Sequence, residues 1–243
     1  MIIVNADDWG RSAAETDAAA QCYLAGSITS VTAMVFMEDS ARARDLAQRL
    51  GMAVGLHLNL SQAFSAAGHD ERLLQSHARV RRFLAGNRYA SLLYNPFLAD
   101  DFRYVYQQQF REFVRLYGHE PSHVDGHHHK HLCMNMLLGR VIRQGEGVRR
   151  NFFFWPGEKA APNRWYRSAS DRLLSRRYRV TDFFFALSQC FGPERLAKVM
   201  ALARTHSVEL MTHPANEAER RLLLSEPFSL ALNQLAKGTY ATL

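Results

Sequence analysis

The sequence predicts an α/β fold organised as a (β/α) barrel, an irregular TIM-barrel variant with about seven parallel strands. Three features carry this expectation. Short apolar runs rich in β-branched residues alternate with longer stretches whose apolar residues recur at i, i+3 and i+4. Several of the short runs are almost continuously hydrophobic, as strands covered on both faces are. No shift in composition divides the 243 residues, so residues 1–243 are expected to form one domain. An open doubly wound sheet is the alternative that the same alternation allows.

Strands are expected at residues 2–6, 30–36, 53–60, 122–125, 148–154, 179–185 and 208–212. Helices are expected between them, at 13–25, 40–49, 101–117, 133–143, 165–176, 193–204 and 217–235. The clearest is 101–117, where Phe102, Val105, Tyr106, Phe110, Phe113, Val114 and Tyr117 draw one apolar stripe. Between the third and fourth strands, residues 61–120 form a helical insertion roughly twice the size of a simple crossover. It is placed to cap the barrel mouth or to meet another subunit. Neither G-x-G-x-x-G nor a phosphate-binding Gly-rich loop occurs, which removes the usual nucleotide reasons for such a sheet.

With 47% hydrophobic and 22% charged residues the chain has the composition of a soluble globular protein. No apolar run approaches the ~20 residues of a membrane span. The opening MIIVNADDWG lacks the basic stretch of a signal peptide and is expected to be mature structure. Three scattered cysteines (Cys22, Cys133 and Cys190) cannot make a disulfide framework, so a cytoplasmic protein is expected. The net charge of +7 invites a polyanion reading. Its arginines are spread, however, in groups such as Arg79, Arg81 and Arg82, Arg149 and Arg150, and 164–179, where Asp171 is the sole acid. No nucleic-acid-binding signature accompanies them. An acidic polysaccharide or lipid-linked sugar substrate accounts for the excess equally well.

In barrels and open sheets alike, ligands meet the carboxyl ends of the strands. Four of those ends carry carboxylate or imidazole: Asn5-Ala6-Asp7-Asp8-Trp9-Gly10, Gly55-Leu56-His57-Leu58-Asn59-Leu60, His123 through His131, and Met211-Thr212-His213-Pro214-Ala215. Singly, each has a structural reading: a helix N-cap and turn for the paired Asp, a hydrogen-bonded strand residue for His57, a core histidine for His213. Together they point to a metal site. Adjacent carboxylates resist joint ionisation, and a divalent cation relieves this by taking one as ligand and leaving the other free as a base. Two imidazoles and one carboxylate suit zinc, and equally iron or another first-row ion. Within the histidine run, strand alternation would turn His127 and His129 the same way, whereas a helix would pair His127 with His131. His127 belongs to both sets; His128 and His129 are candidates for supporting the ligands or touching substrate. His69, His77, His119 and His206 sit in polar surroundings and are assigned no function.

In this order and spacing, NADDWG, GLHLNL, HVDGHHHKH and MTHPA resemble the YdjC-like carbohydrate deacetylases, over residues 2–215. The resemblance implies a barrel-like fold, one divalent metal ion (Mg²⁺ or Zn²⁺), hydrolysis of an N-acetyl group on a sugar, and a homodimer. Position by position it puts Asp8, His57 and His127 on metal ligands, Asp7 on the general base and His213 where a general acid belongs; whether Asp7 or Asp8 ligates stays open. Trp9 replaces the Phe more usual there. Arg149 or Arg150 is placed to orient Asp7 by ion pairing or to bind a substrate anion. Trp9, Tyr94, Phe154 and Trp155 are candidates for stacking on a sugar ring. The runs at 151–155 and 182–185 lie outside the family's general pattern and suggest a substrate of their own. Two other functions fit the residues: a metal-dependent phosphoesterase, which more often needs a second metal, and a non-catalytic metal-stabilised carbohydrate-binding protein.

Overall fold

Six parallel strands form one sheet in the order β4-β3-β2-β1-β6-β5. The structure, a computed structural model, describes every residue except His69 and Arg88, so the unassigned histidine at 69 lies outside the described residues. The strands are β1 (Ile2–Trp9), β2 (Ser30–Ala33), β3 (Ala53–Leu58), β4 (Val124–Gly126), β5 (Phe183–Ala186) and β6 (Val208–Thr212). Ile2, Ile3 and Val4 are wholly buried, as are Val208 and Leu210 beside them. The continuous apolar runs thus mark strands covered on both faces.

The expected closed barrel of about seven strands is corrected to a half-barrel of six. Residues 148–154 form no strand; the isolated bridges Val124↔Val148 and Gly147↔Arg179 carry the sheet past β4. Side chains fix this segment where a ladder would otherwise run. Arg149 turns inward to the carboxylates of the site, and Arg150 is clamped to Asp171 and to the carbonyls of Thr181 and Asp182.

The helices are α1 (Ala13–Leu24), α2 (Ser40–Leu50), α3 (Glu71–Gly86), α4 (Ala99–Tyr117), α5 (Met134–Leu138), α6 (Ala161–Ser175), α7 (Pro193–Leu202), α8 (Glu217–Leu223) and α9 (Glu226–Asn233). Two expected helices are shorter. The one expected at 133–143 stops at Leu138, since Arg140 is left-handed at φ 50°. The last divides at Ser225, whose hydroxyl caps α9 by accepting from Phe228 N. Between β3 and β4, α3 and α4 pack together, joined through 3₁₀ turns at Ala90–Leu92 and Pro96–Leu98. Buried Gln109 of α4 ties the insertion to the end of β3: its Oε1 accepts from Asn59 N at 2.8 Å and its Nε2 donates to Asn59 O at 2.9 Å. His77, expected in polar surroundings, is instead buried on α3, stacked on Phe64 and bonded to Asn59 O. Burial lowers its pKa to about 4, so it is neutral.

Candidate active site

Strand alternation sends Asn5 and Asp7, Ser30 and Thr32, His57, Asp125 and Glu209 to the inner face of the half-barrel, where a polar hydrogen-bond network replaces an apolar core. In a regular strand Asp8 would face away from Asp7. The register of β1 slips between Ala6 and Trp9, and Asp8 sits in the left-handed region at φ 66°. This bulge turns its carboxylate back toward the mouth. Two glycines of the motifs have steric reasons. A Cβ on Gly10, itself at φ 79°, would meet Ala43 Cβ at 3.2 Å, and one on Gly55 would meet His123 Nδ1 at 2.5 Å.

The two neighbouring aspartates have different partners. Asp7 is gripped by Arg149, whose Nη1 and Nη2 lie 2.6 Å and 2.7 Å from its two oxygens. The same guanidinium reaches Asp125 at 2.7 Å and Glu209 at 2.7 Å. Glu209 also accepts from the Tyr240 hydroxyl at 2.6 Å. All of these side chains are buried. Burial opposes ionisation of Asp7 and Asp125, but the Arg149 charge outweighs it and holds both below the usual carboxylate range. Burial wins at Glu209, which is pushed up to about 7.

Asp8 has no such cation against its inner oxygen. Its buried Oδ1 lies 2.9 Å from His127 Nδ1 and 3.3 Å from His57 Nε2, yet forms a hydrogen bond with neither. Its other oxygen pairs with Arg11 at 3.1 Å. His57 Nδ1 is 2.8 Å from Asp125, which fixes the ring so that Nε2 faces Asp8. That carboxylate–imidazole arrangement is how metal-ligating histidines are oriented. Burial works against charge on His57, but the Asp125 and Asp7 carboxylates push it up to about 10. The cluster calls for positive charge. Two trios have donor atoms within 4.8 Å of one another: Asp8, His57 and His127, and Asp7, His57 and Asp125. In the second, Arg149 already pairs with both carboxylates. The first fits a metal: two nitrogens and one carboxylate, with no guanidinium or ammonium between them.

His213 follows β6 and is partly exposed, its backbone N–H donating to Glu219 at 2.7 Å and its Nδ1 lying 3.9 Å from the same carboxylate. Burial disfavours its charge, but Glu219, Asp7 and Asp8 outweigh this and raise its pKa.

The histidine run is neither strand nor helix. His128 and His129 are left-handed at φ 53° and 55°, so both expected pairings fail. His127 alone faces Asp8. His128 stacks against His127 at 4.0 Å and meets Ser61 at 3.0 Å; His129 packs edge-on to Phe152; buried His131 bonds Arg149 O. His128 and His129 line a cleft of about 210 Å³ with Leu92, Phe152 and Arg167. This cleft shares Arg150, Phe152 and Arg167 with a larger one of about 580 Å³, lined also by Phe154 and Trp165.

Trp9 needs correction as a substrate-stacking candidate. It is 0% exposed within the apolar core and offers no surface to a sugar. Arg149 is likewise fully buried and pairs with Asp7, Asp125 and Glu209, whereas Arg150, the alternative partner for Asp7, pairs with Asp171. Trp155 stacks on Phe185, Phe154 lines the larger cleft, and Tyr94 is exposed on the insertion. Sequence reasoning missed Glu209, Tyr240 and Thr32 as members of the network.

Residues 1–237 match the YdjC-like protein family. The chain is 29% identical to the chitooligosaccharide deacetylase of Serratia marcescens, over 88% of this chain and 81% of that protein. It is 30% identical to the carbohydrate deacetylase of Mus musculus, over 88% and 77%. A crystal structure from Enterococcus faecalis, described as a candidate cellobiose-phosphate cleavage protein, superposes with a TM-score of 0.69 over 99% of this chain and 97% of its own. At 17% identity that likeness is one of fold. With the family pattern matched over residues 1–237, the chain belongs to the YdjC-like family.

Proposed function

We propose that the protein is a carbohydrate deacetylase that removes an N-acetyl group from a sugar, with one divalent metal ion held by Asp8, His57 and His127. The observation that carries this reading is the division of labour between adjacent carboxylates. Asp7 is neutralised by Arg149, while Asp8 presents an unbonded oxygen to two imidazole nitrogens. The deacetylase names of the relatives supply the substrate class. Nitrogen donors favour Zn²⁺ or another first-row ion over Mg²⁺, which prefers an oxygen shell. The three cysteines are free and buried, which suits a cytoplasmic setting.

A bound cation would lower the pKa of its water and polarise the acetamide carbonyl. Asp7, held ionised by Arg149, accepts the proton of the attacking water. Arg149 and Asn5 keep the Asp7 carboxylate from rotating, with Asn5 Nδ2 donating to it at 3.0 Å. His213, just past the end of β6, has its pKa raised by the surrounding carboxylates and delivers its proton to the departing amine, a poor leaving group when unprotonated. His128 and His129, next in the chain to His127, line a cleft that offers the rest of the sugar a place beside these groups.

The test is acetate release from N-acetylated oligosaccharides with Zn²⁺, Co²⁺, Ni²⁺ or Mg²⁺, comparing wild type with Asp7→Asn. The variant should bind the ion as wild type does and lose about 10²–10⁴-fold in kcat. Loss of metal by Asp7→Asn, or unimpaired turnover, would reject the assignment of base and ligand.

A further inference from the structure

The insertion carries an apolar surface that the proposed reaction does not use. Within nine residues Tyr89, Leu92, Leu93, Tyr94 and Phe97 are all exposed, Phe97 to 93%. This is a built feature, because the segment is pinned by polar bonds. Asn95 N donates to Asn135 Oδ1 at 2.9 Å, Asn135 Nδ2 donates to Asn95 O at 2.7 Å, and Lys130 Nζ donates to Ser91 Oγ at 2.9 Å. The backbone is fastened to α5 and the histidine run while its large side chains face outward. Leu138 of α5 adds to the same surface at 57% exposure.

Across the 210 Å³ cleft, Leu92 faces Tyr166 and Arg167 of α6. That helix presents Trp165 at 74% exposure and Leu173 at 50%. Trp165 and Leu173 share an outer face of α6 with Arg172 and Arg176, while the opening beside His128 and His129 is itself lined by Leu92, Leu132, Phe152 and Tyr166. Several of the cations around them lack a counter-ion. Exposed Arg140, Arg172 and Arg176 and half-buried Arg164 have no carboxylate partner among the described residues. Asp100 and Asp101, the acids nearest the Phe97 turn in sequence, pair with Arg103 and Arg79.

Exposed aromatics interleaved with unpaired arginines are what a lipid–water interface selects: rings sit at the headgroup level and cations meet anionic phosphates. A second copy of the chain fits less well, since a symmetric contact through this face would bring like-charged arginines together. We propose that the two rims dock on an anionic lipid surface, with the cleft over His128 and His129 opening toward the lipid. Docking goes beyond the reaction proposed above and does not depend on it.

Flotation of the full chain with phosphatidylcholine vesicles, with and without phosphatidylglycerol, tests this without any assay of turnover. Binding should require phosphatidylglycerol, weaken with added salt, and shift Trp165 emission to the blue. Phe97→Asp should lower vesicle affinity about tenfold or more, the range expected for losing one buried aromatic ring. The paired change Arg164→Glu and Arg172→Glu should abolish the preference for anionic lipid. Both substitute partly or fully exposed side chains, and melting curves matching wild type will show that the fold is intact. Equal binding to neutral vesicles, no binding to either, or a dimer in light scattering that Phe97→Asp splits would each overturn the proposal.

Discussion

The inner face of the half-barrel and the rim above it solve opposite problems. On the inner face Asp7, Asp125, Glu209 and Arg149 are buried, and each of the three carboxyl groups lies within 2.7 Å of the Arg149 guanidinium. On the rim, Trp165 and Phe97 stand in water and several arginines have no acidic partner. A buried charge is tolerated only when paired and bonded, so the inner face admits almost no variation. An exposed arginine or phenylalanine costs little, so the rim is free to follow the substrate or surface it meets. Substitution is therefore costly in one region and cheap in the other.

The sharpest way to break this contrast is at Arg149, where the largest effect is expected. Arg149→Met leaves Asp7, Asp125 and Glu209 without their cation, and urea unfolding should show a loss of about 3–5 kcal/mol. Arg149→Lys should rescue little, because an ammonium cannot reproduce the forked contacts to three carboxylates. A melt unchanged in either variant would mean the network is not what holds the inner face. The same substitutions on the rim, at Arg164 or Arg172, should leave the melt where it was.

Legibility in the sequence follows the same division. Asp7, Asp8, His57 and His127 stand out because unusual polar residues lie at strand ends, and the structure places Asp8, His57 and His127 in one trio and Asp7 with His57 in another. His213 stands out in the sequence for the same reason. Glu209 was not, because a single acid inside Val208-Glu209-Leu210-Met211-Thr212 reads as one exposed position of a strand. A signal was present: Asn5 with Asp7, Ser30 with Thr32, and Glu209 with His213 all recur with an even spacing, which marks one polar face running through buried strands. Tyr240 carries no local signal at all, since its partner is 31 residues away and depends on the tail folding under β6. The histidine run defeated both periodicities through two left-handed residues. The seventh strand failed because an apolar run reads as a strand whatever its neighbouring arginines clamp.

A smaller effect is expected at Asp125, which belongs to the inner face and also orients His57. Asp125→Asn removes the carboxylate that holds Nδ1 at 2.8 Å, and titration calorimetry with Zn²⁺ should show affinity reduced about 10–100-fold. Wild-type affinity in this variant would break the link between the network and the metal trio.

The mildest change lies where the two regions meet, at His213. Its pKa is raised because Glu219, Asp7 and Asp8 outweigh its burial. A general acid acts only while protonated, so activity is present below the folded pKa of His213 and is lost as pH rises through it. Raising that pKa therefore extends activity toward alkaline pH. Glu219→Gln keeps an oxygen to accept from His213 N but removes the charge 3.9 Å from Nδ1. The alkaline limb of kcat/KM should then move to lower pH, with the plateau value nearly retained. Glu217→Gln, an exposed acid paired with Arg221 in the same helix, should leave the limb in place. If Glu219→Gln depresses the plateau and leaves the limb fixed, His213 is a binding residue, and the acid must be sought among the groups that line the cleft.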